Sequence, residues 1–108
     1  MQQTENLPGK SSLDGLWVVL GAQAKADESR LPIMARAGDD QCYLLGFKNV
    51  AGARQFVQAA GVEDAEPRMV VKGNRGDLIR VAQEHGAAGL LVDYDVNTQQ
   101  YAAADRLY

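Results

Sequence analysis

Apolar positions along this chain come in short runs separated by polar or glycine-bearing breaks. The spacing inside the runs changes midway from strand-like to helical. Leu16-Trp17-Val18-Val19-Leu20 is rich in strand formers and is closed by Gly21, which predicts a first strand, while residues 23–30 are polar and read as loop. Two more apolar runs, 31–37 and 41–47, flank Gly38-Asp39-Asp40. A short glycine-bearing connection between two such runs predicts a β-hairpin.

From Asn49 the period becomes helical. Val50, Ala53, Phe56, Val57 and Ala60 fall on one face, Asn49 is placed to cap the start and Gly61 to end it. After an acidic connector at 62–66 and Pro67, the β-branched run Met69-Val70-Val71-Lys72 reads as a fourth strand. Gly73-Asn74-Arg75-Gly76 then reads as a turn into a second helix, with Asp77 as its cap and Leu78, Val81, Ala82 and His85 on its apolar face. Gly86 ends that helix, and the near-continuous apolar run at 88–92 has the composition of a strand covered on both faces. Residues 69–92 therefore read as a βαβ unit with two parallel strands, paired directly or with one strand between them. Residues 98–108 suit a short terminal helix through Tyr101, Ala104 and Tyr108.

The element order is β-β-β-α-β-α-β. It predicts an α+β or open α/β fold: one mixed β-sheet of about five strands with helices packed on it. Residues 1–13, polar and without periodicity, read as a flexible leader ahead of a single domain spanning 14–108. With 108 residues, 46% hydrophobic and 23% charged, the chain has the composition of one globular domain and not of a disordered segment.

Charge narrows the partners. Fourteen acidic and eleven basic side chains give a net charge of -3, without the Lys and Arg excess that nucleic acid or anionic lipid demands. No apolar run approaches the roughly 20 residues of a membrane-spanning helix. The five apolar residues before Ala22-Gln23-Ala24 fall short of a signal core and lack a preceding basic cluster, so a strand explains them better. One cysteine, Cys42, allows no internal disulfide and points to a reducing, cytoplasmic compartment.

The order of elements also resembles the amino-terminal domain of SseB-like proteins, a bacterial family. The similarity is carried by Leu31-Pro32-Ile33-Met34, by Leu44-Leu45-Gly46-Phe47 leading to Phe56 and Val57, and by Asp77-Leu78 through His85-Gly86-Ala87-Ala88-Gly89-Leu90-Leu91-Val92. It covers about residues 31–95. The family's last strand runs into an Asn-Pro pair, whereas Val92 here leads to Asp93-Tyr94-Asp95-Val96-Asn97. The resemblance implies a fold and a protein-interaction or regulatory role, and it transfers no site residue.

Candidate chemistry is sparse. Gly73, Asn74 and Arg75 lie between a strand and a helix start, where free N–H groups favour an anion, yet they match neither a P-loop nor a dinucleotide turn. Asp93, Asp95 and Asn97 alternate past the last strand and resemble the opening of a calcium loop, but Thr98 and Ala104 replace the glycine and glutamate that such a loop requires. Were the two strands of the βαβ unit neighbours, the two segments would share one rim, where Arg75 either pairs with Asp93 or Asp95 or helps to hold a ligand. His85 at a helix end and Cys42 in the hairpin have structural explanations and make no evident dyad. Ser11, Ser12 and Ser29 lie in leader or loop and form no nucleophile elbow. Trp17 and Tyr43 read as core, Tyr94 and Tyr101 as interface candidates.

The reading is a non-catalytic protein-interaction or regulatory module with a protein partner, no cofactor and no metal. The alternative is a small-ligand or anion-binding domain using the rim at 73–75 and 93–97.

Overall fold

The hairpin and first helix form where turn chemistry and capping residues demand them. The structure, a computed structural model, describes residues 13–21 and 30–107; residues 1–12 of the expected 1–13 leader and most of the expected loop at 23–30 lie outside the described residues, while Leu13 belongs to the core and not to a leader. Strands β2 (Met34–Arg36) and β3 (Cys42–Gly46) pair antiparallel, with Met34 opposite Leu44 and Arg36 opposite Cys42. Asp40 takes the left-handed conformation at φ 66° that closes the turn, and Asp39 Oδ1 accepts from Gln41 N at 3.0 Å. Helix α1 (Val50–Ala60) begins as expected at Asn49, whose side chain accepts from Gly52 N at 2.8 Å. It ends at Gly61, in the left-handed region at φ 69°.

The architecture is α+β, with helices packed on a mixed sheet. Six strands are present among the described residues: β1 (Trp17–Leu20), β2, β3, β4 (Glu66–Met69), β5 (Ala87–Val92) and β6 (Ala103–Asp105). Four of them form one mixed sheet in the order β2-β3-β5-β6, while β1 and β4 pair antiparallel with each other. Bridges from Trp17 to Phe47 and from Leu20 to Pro32 join this pair to the hairpin beyond its ladder.

Three local expectations are corrected. The strand expected at 69–72 lies instead at 66–69 and pairs with β1, so the parallel neighbour of β5 is β3. Pro67, which lacks an N–H, is tolerated there because β4 is an edge strand. The second helix, α2 (Lys72–Glu84), starts five residues before Asp77, because Asn74 reaches back into its first turn. Asn74 Oδ1 accepts from Val71 N at 2.9 Å and its Nδ2 donates to Met69 O at 3.1 Å. In place of the terminal helix, residues 96–99 reverse the chain and β6 pairs antiparallel with β5, Ala102 N donating to Val92 O at 2.8 Å. An open strand edge outcompeted a weak helical period that had no cap.

Alternation along the strands divides the core between the two helices. Val18, Leu20, Leu44, Leu90 and Val92 pack with Ile79 and Ala82 of α2, while Val19, Leu45 and Leu91 pack with Ala53 and Phe56 of α1. Leu90 and Leu91 are 0% and 1% exposed, so β5 is buried on both faces as its apolar run predicts. Leu13 is fully buried in the cluster on the α2 side.

Candidate functional site

The parallel pair β3–β5 sets where a ligand or partner can enter. Its strands end at Gly46 and Val92, and both chains then turn: one into Phe47, Lys48 and the cap of α1, the other into residues 93–97. Asp93 ties the two exits together. Its N–H donates to Gly46 O at 2.8 Å, its Oδ1 accepts from Lys48 N at 3.1 Å, and Lys48 Nζ lies 4.0 Å from its Oδ2. It does so at φ 57°, a backbone region that Asp tolerates better than most side chains.

Past Asp93, the chain folds over the start of α1. Asp95 Oδ1 accepts from Asn97 N at 2.9 Å, and Gln99, at φ 60°, donates its N–H to Asp95 O at 2.7 Å. Between this turn and α1 lies an open-sided cleft of about 600 Å³. Asp93, Asp95 and Asn97 form one wall, while Asn49 and Gln55 contribute to the other. Phe47, Phe56 and Tyr94 underlie it, with ring centroids 5.5 Å apart for Phe47 and Phe56 and 6.5 Å for Phe56 and Tyr94. Carboxylate and amide oxygens over a firm aromatic base suit a donor-bearing, positively charged group.

The structure keeps the segment at 73–75 away from this wall. Gly73, Asn74 and Arg75 sit in the first turn of α2, and Arg75 Nη1 donates to Asp14 Oδ2 at 2.7 Å, so its partner is neither Asp93 nor Asp95. Asn74 lines a separate cleft of about 430 Å³ between α2 and the β1–β4 pair. The expected common rim is thus two surfaces, because β3 and not β4 stands beside β5.

Other candidates resolve locally. His85 closes α2, its Nδ1 donating to Val81 O at 3.0 Å, and Cys42 is half-buried in β3. Among the described residues, no group of three His, Cys, Asp or Glu side chains is arranged to hold a metal ion. Tyr94, expected at an interface, is 8% exposed and belongs to the core, because its ring packs edge-on to Phe56. Tyr101 is 47% exposed. Tyr43 is half-buried and its hydroxyl donates to Asp39 Oδ2 at 2.5 Å. That bond holds the Asp39 carboxyl below the ordinary carboxylate range and pushes the Tyr43 phenol above its own.

Asn49 was legible only as a helix cap, and Gln55 carried no sequence signal, since a polar residue on the outer face of a helix is ordinary. Among the described residues, no helix is long and apolar enough to cross a membrane. No family model, curated protein or solved structure matches this chain. What the fold and site define is a class: a small α+β domain with helices packed on a mixed sheet and a polar cleft beyond the ends of its parallel strands.

Proposed function

We propose that the chain is a non-catalytic protein-interaction or regulatory module that receives a basic group of a partner protein in the cleft between α1 and residues 93–97. The observation that carries this reading is the cleft itself. Two carboxylates and three amide side chains line an open-sided groove beyond the carboxyl ends of β3 and β5. An exposed aromatic, Tyr101, stands one residue past the bridge between Asp95 and Gln100 and supplies a rigid anchor of the kind interfaces use. The resemblance to SseB-like proteins supports the same role, and the lone cysteine supports a cytoplasmic setting.

A second reading, a small polar ligand in the same cleft, is favoured by its place: open α/β sheets collect ligands at the carboxyl ends of parallel strands. Affinity capture from native extract separates the two. The wild-type chain is expected to retain a discrete protein that the double variant Asp95→Asn/Gln55→Arg loses at unchanged melting temperature. Asp95→Asn keeps the oxygen that Asn97 N requires while removing the charge. Equal capture by both chains contradicts the interaction reading, and a small molecule released from the wild-type chain alone on denaturation favours the second.

A further inference from the structure

We infer that Lys48 guards the cleft between α1 and residues 93–97. Its ammonium stands on Asp93 in place of a partner's basic group, and the partner enters by exchanging one cation for the other. This rests on the reading of the cleft as a receptor for a basic group, to which it adds the residue that regulates entry.

The two carboxylates of the wall are not equivalent. Asp95 accepts from Asn97 N through Oδ1 and enters no ion pair among the described residues. Asp93 meets the same residue with both oxygens: Lys48 N donates to its Oδ1 at 3.1 Å, and Lys48 Nζ lies 4.0 Å from its Oδ2. One charge of the wall is open, and the other is already answered from within the chain.

Only the ammonium is free to leave. Asp93 is fixed by its own N–H, which donates to Gly46 O, and its Oδ1 is held by Lys48 N, so the carboxylate keeps its aim. The Lys48 backbone is fixed in turn between Phe47, bonded to Trp17 through both N–H and C=O, and Asn49, the cap of α1. The Lys48 side chain, however, is 64% exposed. An ammonium on a flexible four-carbon stem gives up so loose and solvated a contact for water at little cost. A guanidinium carries a planar fork of donors, enough for Asp93, Asp95 and the Gln55 side-chain oxygen on the facing wall. The exchange therefore moves neither α1 nor residues 93–97.

Chemical-shift titration of the full chain with N-acetyl-arginine methylamide, which carries a single guanidinium and no other charge, reads the exchange at the amides of 93–97. The neutral citrulline analogue is the control for binding without charge. Lys48→Gln is expected to bind the probe about twofold to fivefold more tightly than the wild type, the range that release of an exposed ion pair allows. Lys48→Arg, which keeps a cation at that position, should show no such gain. Deleting any positive charge favours a cation slightly, so the decisive comparison is made in Asp93→Asn, which keeps the acceptor for Lys48 N. There Lys48→Gln should bring no gain, because the guarded charge is gone. A gain that persists in Asp93→Asn overturns the guard and leaves the cleft as a receptor, as does wild-type binding that Lys48→Gln fails to improve. If the probe shifts 93–97 in neither the wild type nor Lys48→Gln, or the citrulline analogue binds equally well, receptor and guard fall together.

Discussion

Gly89 shows how much one residue carries in this fold. A Cβ built there would stand 2.7 Å from the carbonyl oxygen of Asp105 and 3.4 Å from the Tyr43 ring, so only glycine lets β6 approach β5 under that ring. Gly89→Ala is therefore expected to destabilise the chain by about 1–3 kcal/mol, as overpacking against backbone does, and to loosen β6 first. Denaturant unfolding measures the first effect and amide exchange at 103–105 the second; unchanged stability would remove the close approach. The pair Asp39 and Tyr43 makes a pH prediction. Asp39 titrates low when folded, so its contribution is complete above the ordinary carboxylate range and fades as pH falls through the depressed value. Tyr43 titrates high, so its contribution is complete below the ordinary phenol range and fades as pH rises through the elevated value. Asp39→Asn should move the Tyr43 titration back toward an ordinary phenol, as read by ultraviolet difference spectra. No movement would mean that the hydrogen bond is not formed in solution.

At the scale of elements, capping decides what was legible in the chain. Asn49 and Gly61 mark α1 at both ends, and the structure places the helix between them. The start of α2 was displaced by six residues because Asp77 has the familiar cap identity, whereas the working contact is made by Asn74 from inside the helix to Val71 N. Asn74→Ala should cost about 0.5–2 kcal/mol, the usual loss for a cap, with fraying at 72–75 visible in amide exchange. Asp77→Ala should cost little, since its side chain is 82% exposed and holds only a surface ion pair. β6 was hidden for a different reason. Three small residues have no strand period of their own, and only the open edge of β5 makes them a strand.

At the scale of the whole molecule, the order of strands determines where chemistry collects. Hydrophobic spacing predicted an α+β domain with β5 buried on both faces, and the two core clusters on its opposite sides confirm that layering. Spacing alone does not say which strand lies beside β5. The placement of β3 there moved Asp93, Asp95 and Asn97 to the α1 side and left Asn74 and Arg75 with α2 and Asp14. Leu91→Ala, which empties the α1 side of β5, should cost about 2–5 kcal/mol in global stability. The interaction reading is tested most directly by a photo-crosslinking side chain placed at Gln55, which lines the cleft, and in parallel at Gln58, which is exposed on the same helix outside it. In native extract, Gln55 is predicted to yield a discrete cross-linked protein that Gln58 does not, whereas equal yields at the two positions, or none at Gln55, would contradict the assignment of the cleft.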